Sequence, residues 1–148
     1  MISPDEIRNY KYFATAPMDV LKALADASML KTFKTGERLL EEGDQARNLM
    51  IIKSGEVEII YQLGDDRQVV AEYAIKGDVI SWSAVLAPYK LTASAVGSKD
   101  GELLSVDGTA LIGLCEKDAA LGYRLMTEIA KGLRERLTGL RVQIAAMK

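Results

Sequence analysis

The chain has 148 residues, enough for one domain with an ordinary buried core. It is 49% apolar and 27% charged, and its net charge of −2 weighs against a surface built to hold phosphate backbones. There is no histidine and one cysteine, Cys115, which excludes Ser-His-Asp and Cys-His nucleophiles, helical His-x-x-x-His zinc sites, histidine-ligated haem and an intrachain disulfide.

These absences predict a chain with no catalytic residue, no cofactor and no metal. Cys115, among apolar neighbours, reads as an inert packed thiol. No apolar run reaches the roughly 18 residues that a membrane span needs. The first twelve residues carry Pro4, Asp5 and Glu6 and no apolar stretch of the signal-peptide kind, so the expectation is a cytoplasmic chain.

In chain order, residues 4 to about 32 read as helical. Ile7, Tyr10 and Tyr12 lie near one apolar face, and Val20, Leu21, Leu24, Met29 and Leu30 recur at helical spacing, with Pro17 marking a break between two short helices. From Phe33 to Asp107 the texture becomes short runs of Val, Ile, Tyr and Leu punctuated by glycine. Strands are predicted at residues 38–41, 49–53, 56–61, 68–74, 92–96 and 102–106. Turn signals fall between them at Gly43-Asp44, Ser54-Gly55, Gly64-Asp65-Asp66, Gly77-Asp78 and Asp100-Gly101. Such spacing predicts a barrel, sandwich or roll rather than a βαβ sheet. The adjacent carboxylates Glu41-Glu42 and Asp65-Asp66 read as solvated surface.

After Asp107 a helix of about residues 117–147 is predicted. Met126, Ala130, Leu133, Leu137, Leu140, Ile144 and Met147 are separated by 4, 3, 4, 3, 4 and 3 residues, an a/d seam of the kind that pairs two helices. This predicts a homodimer; the alternative is a long helix buried on its own domain. Gly132 and Gly139 at position c are expected to let the helix approach the body of the domain. Arg136 at g and Arg141 at e would repel their counterparts in a parallel dimer. They would therefore turn to acidic residues of the roll, to a ligand anion or, by default, to water.

The run Phe33-Lys34-Thr35-Gly36-Glu37-Arg38-Leu39-Leu40-Glu41-Glu42-Gly43-Asp44 precedes Leu49-Met50-Ile51-Ile52-Lys53-Ser54-Gly55-Glu56-Val57-Glu58-Ile59. Lys76-Gly77-Asp78-Val79-Ile80 and Glu102-Leu103-Leu104-Ser105-Val106-Asp107 follow. In that order they resemble the signatures of the cyclic-nucleotide-binding fold of the Crp/Fnr superfamily, over about residues 12 to 145. The resemblance implies an α+β fold: short N-terminal helices, an antiparallel β-roll of about eight strands of the jelly-roll kind at about residues 33–107, and a long dimerisation helix. It covers a single domain over residues 1–148 and implies a regulatory role rather than an enzyme.

In that family the segment after the Gly-Asp-x-Ile strand holds the cyclic phosphate. A Gly-Glu pair opens a short helix, and an arginine followed by a small residue neutralises the phosphate. Here Ser81-Trp82 stands at the Gly-Glu position and Leu91 at that of the arginine, followed by Thr92-Ala93. Lys90 is one residue out of step and should face the other way. Cyclic AMP and cyclic GMP are therefore not the expected ligands. Ser81 remains a possible helix cap, and Trp82 and Tyr89 offer flat faces. The candidate pocket is Ser81, Trp82, Ser83, Tyr89, Leu91, Thr92 and Ala93.

Three readings remain open. One is an unidentified small effector, neutral or weakly anionic, bound by a homodimer. Another is an interaction module whose pocket is filled by its own side chains. A third is the effector half of a regulator whose DNA-binding part is a separate protein. Direct binding of nucleic acid is not expected, because in Crp/Fnr regulators a helix-turn-helix domain follows the long helix, whereas this chain ends at Lys148.

Overall fold

The computed structural model describes residues 2–147. Helix α1 (Pro4–Arg8) is capped by Ser3, whose hydroxyl accepts from the Glu6 amide. A 3-10 turn (Lys11–Phe13) and helix α2 (Met18–Asp26) follow. Five strands come next: β1 (Ser28–Phe33), β2 (Arg38–Leu40), β3 (Asn48–Leu63), β4 (Arg67–Ala74) and β5 (Ser94–Asp107). Between β4 and β5 lies a 3-10 turn, Trp82–Val85. The chain closes with helices α3 (Gly108–Lys117) and α4 (Ala119–Ala146), capped by Asp107 and Asp118 through the Ala110 and Leu121 amides.

The architecture is the expected α+β antiparallel roll. Sheet order is β1-β5-β3-β4, with β2 also paired to β5, and every pairing is antiparallel. Two expectations are corrected.

The sheet has five strands rather than about eight, because pairs of predicted strands are single long ones. Residues 49–53 and 56–61 both belong to β3, and 92–96 and 102–106 fall within or beside β5. Ser54-Gly55 and Asp100-Gly101 do not reverse the chain. They face each other in the β3–β5 ladder, where its register shifts. A Cβ on Gly55 would stand 2.6 Å from the Asp100 carbonyl oxygen, and one on Gly101 would fall on the Ser54 carbonyl. Glycine is needed here for close backbone approach within a bend.

The second correction concerns residues 28–33, expected at the end of a helix. Helix α2 stops at Asp26, where Ser28 Oγ donates to the Leu24 carbonyl at 2.6 Å, and the chain continues as β1 along β5.

Side chains of the long strands alternate between two cores, as the two-residue period of a strand requires. Leu49 and Ile51 of β3, with Leu104 and Val106 of β5, pack under the helices with Phe13, Leu21, Leu24, Leu111, Leu125 and Ile129. Met50 and Ile52, with Leu103, fill the inside of the roll with Phe33, Val57, Ile59 and Ile80. A sheet covered on both faces accounts for the near-continuous apolar run Leu49-Met50-Ile51-Ile52.

Helix α4 crosses the roll with Leu121, Leu125, Ile129 and Arg136 buried. Leu140 packs against the roll core. Gln143 Nε2 donates to the Val70 carbonyl at 3.0 Å, placing the last turns of α4 beside β4, the sheet's edge strand.

Candidate effector site

The segment from Gly77 to Ile80 is laced to β3. The Gly77 amide donates to the Ile52 carbonyl, the Ile52 amide to the Asp78 carbonyl and the Ile80 amide to the Met50 carbonyl, all within 3.0 Å. That ladder fixes where Ser81 and the 3-10 turn begin. On the other side, residues 43–44 and Leu91 exchange backbone hydrogen bonds at 2.8 Å, which holds Leu91 opposite.

Ser81, Trp82, Ser83, Leu91, Thr92 and Ala93 do come together, around a void of about 10 Å³ that Ile80 and Arg136 also line. Ser81 and Ser83 are buried, as is Leu91, 7% exposed at the place where the resemblance puts an arginine. Ser81 does not cap the turn. It occupies the N-cap position, but its hydroxyl makes no cap hydrogen bond, and its Oγ has no protein partner. Tyr89 is not part of this cluster. Its backbone takes φ of 61°, and it lines a separate surface depression with Gln45, Arg47, Asn48 and Thr109. Lys90 is exposed.

The residue that sequence reasoning did not place here is Arg136 of α4, only 5% exposed. Its guanidinium carbon lies 4.1 Å from the centre of the Trp82 ring, in cation–π stacking. Nη2 donates to Glu72 Oε1 of β4 at 2.5 Å and Nη1 to the Tyr61 hydroxyl of β3 at 3.3 Å. Its Nε has no protein partner. The default expectation that Arg136 faces water is therefore corrected; the roll's Glu72 takes it. A sequence signal did exist. Leu121, Leu125, Ile129, Gly132, Arg136, Leu140 and Gln143 form a second stripe at spacings of 4, 4, 3, 4, 4 and 3, and Arg136 is its charged member.

On the far side of the Trp82–Arg136 stack is a cleft of about 120 Å³ whose lining includes Tyr12, Glu72, Asp78, Glu128 and Glu135. The Asp78 carboxyl is pushed above the usual carboxylate range, chiefly by burial. Its hydrogen bond from the Ile75 amide opposes this, while Glu72 and Glu135 reinforce it. Burial likewise raises the Tyr12 hydroxyl, with Asp78, Glu128 and Glu135 adding to the effect. Lys11, Lys131 and Arg136 line the same cleft, so its four carboxylates face three cations.

The seam residues of α4 lie on another face. Met126, Ala130, Leu133, Leu137, Ile144 and Met147 are exposed in the single chain, Leu137 at 59%, whereas Leu140 is half-buried. Cys115 is free and half-buried, and burial raises its thiol, Asp118 adding to the shift. Among the described residues no His/Cys/Asp/Glu group is arranged to hold a metal ion, and no helix is long and apolar enough to cross a membrane.

The profile of the cyclic nucleotide-binding domain matches residues 30–118 of this chain. The chain belongs to that family. A structure described as a cyclic nucleotide-binding protein from Geobacter metallireducens is 33% identical. The match covers 93% of this chain and 99% of that one, with a TM-score of 0.78. The fold is shared with the catabolite activator protein of Thermus thermophilus (18% identity, 92% of this chain and 63% of that one, TM-score 0.73). It is shared equally with the sensor domain of the transcriptional regulator DNR from Pseudomonas aeruginosa (16%, 90% of each, 0.75). Family membership rests on the profile and the Geobacter protein.

Proposed function

We propose that the chain is a homodimeric regulatory module that senses a small effector other than a cyclic nucleotide. The observation that carries this is the floor of the cassette. Ligand pockets usually run to roughly 300–1,000 Å³, whereas the void beside Leu91 is about 10 Å³. The one cation there, Arg136, is already neutralised by Glu72. A cyclic phosphate would be desolvated with no free cation to pair with it, a penalty of several kcal/mol.

Two unpaired polar atoms in that floor, Ser81 Oγ and Arg136 Nε, favour a sensor over a plug. A core finished by its own side chains seldom leaves buried polar atoms without partners. The smallness of the void favours the second reading, an interaction module whose cassette is filled.

The dimer rests on α4. An exposed a/d seam, repeated on a second copy, is self-complementary, so an isologous pair buries both seams at once. Calorimetry separates this proposal from the family's eponymous ligand. At tens of micromolar protein, cyclic AMP and cyclic GMP are expected to give no saturable heat. A Kd near 1 µM for either, about −8 kcal/mol, sinks it. To separate sensor from plug, a compound library is screened by Trp82 emission together with thermal shift. A sensor gives compounds that move both, since binding to the native state stabilises it; a plug gives none.

A further inference from the structure

Ser81 is 2% exposed and Arg136 5% exposed, yet each keeps a polar atom with no protein partner. Leaving such atoms unpaired costs on the order of 1–3 kcal/mol each. Both residues line the same void, whose about 10 Å³ is the room of one water-sized atom. Arg136 offers an N–H there and Ser81 a hydroxyl that can donate, so the atom that satisfies both is an acceptor. The void's other walls include the carbon side chains of Ile80, Leu91 and Ala93.

Arg136 is not a free cation waiting for an anion. Glu72 and Tyr61 take its Nη atoms and Trp82 covers its face, so its orientation is fixed and its Nε is what remains. The cleft shares the Trp82–Arg136 wall; carboxylates and the lysines Lys11 and Lys131 line it together, and burial, the largest effect, raises the Asp78 carboxyl. With Glu72 already on Arg136, an anion in the void would be buried with no free cation, whereas a neutral oxygen carries no such cost. Trp82 and Arg136 are a wall common to void and cleft, so turning the indole aside joins the two spaces.

We propose that Ser81 and Arg136 form the inner end of the effector site and receive the carbonyl oxygen of an uncharged, planar amide-type molecule. Its N–H groups then face the carboxylates of Glu72 and Asp78. This deepens the sensor reading and rests on it. An apolar ligand would leave Ser81 and Arg136 unpaired, and a carboxylate or phosphate would be buried with no free cation to pair with it.

The test uses acetamide as probe and acetate as its anionic isostere, at matched ionic strength, read by the emission of Trp82, the only tryptophan. Acetamide should give a saturable change and acetate none. Ser81→Ala should weaken the acetamide response about tenfold, the size of one lost hydrogen bond to a buried group. Arg136→Lys keeps a charge for Glu72 but lacks the Nε–H. It should weaken the response similarly, with a cooperative thermal melt showing that it is folded. Acetate binding as tightly as acetamide overturns the uncharged class, and an acetamide response untouched by Ser81→Ala overturns the site. If library compounds move Trp82 but acetamide does not, or its response ignores Ser81→Ala, this chemistry fails and the sensor reading stands. If neither moves Trp82, both fail.

Discussion

A single added methyl group distinguishes the glycines of this chain. On Gly101 it would fall on the Ser54 carbonyl, in the middle of the β3–β5 ladder. On Gly139 it would meet nothing within 4 Å. The expectation that Gly132 and Gly139 let α4 approach its own domain is therefore corrected, because a Cβ at either position touches nothing. Both are only weak points in a helix, where glycine costs about 1 kcal/mol relative to alanine. Gly139→Ala is accordingly expected to raise stability by about 0.5–1 kcal/mol in urea denaturation. Gly101→Ala should lower it by about 1–3 kcal/mol, the usual cost of forcing volume into a packed place. A destabilising Gly139→Ala would mean that α4 packs against something at that turn.

At the level of elements, what the sequence made legible was whatever local chemistry decides. The turns at Gly43, Gly64 and Gly77, the break at Pro17 and the 28-residue helix α4 follow from turn residues and periodicity. Ser54-Gly55 and Asp100-Gly101, in contrast, carry the same signal inside β3 and β5. Ser28–Phe33 was not legible, because Leu24, Met29 and Leu30 continue a helical spacing; only pairing with β5 makes that stretch a strand. The cassette was half legible. The substitution of Leu91 for an arginine could be read directly, but the arrival of Arg136 depends on how α4 docks, which no local pattern fixes. Two faces of α4 differ in exposure. Leu137 points to solvent in the single chain and Leu140 onto the roll. Leu137→Asp should therefore give monomers in analytical ultracentrifugation while the chain keeps its melting cooperativity. Leu140→Ala should cost about 1–2 kcal/mol of stability, scaled down from full burial because the site is only partly enclosed. A wild type that sediments as a monomer at tens of micromolar refutes the seam.

For the whole molecule, the distribution of charge bears on nucleic acid more than its sum of −2 does. Helix α4 carries Arg124, Lys131, Arg134, Arg136 and Arg141, which in isolation resembles a basic stripe. Ion pairs engage three of these five. Glu128, its side chain 11% exposed, lies within 4 Å of Lys11, Arg124 and Lys131 at once, and Glu72 takes Arg136. Only Arg134 and Arg141 have no ion-pair partner among the described residues of α4. Phosphate contacts show themselves as salt dependence, log K falling by about 0.9 per neutralised phosphate per decade of salt. With two unpaired cations to offer, α4 should contribute a slope no steeper than about −2 per chain. Retardation of a duplex in a gel should vanish between about 50 and 200 mM salt and show no sequence preference. A slope of about −4 or beyond, or a retarded band that survives about 200 mM salt for one sequence and not another, would mean that more than the two unpaired cations of α4 reach the duplex. It would make this chain a DNA-binding protein in its own right.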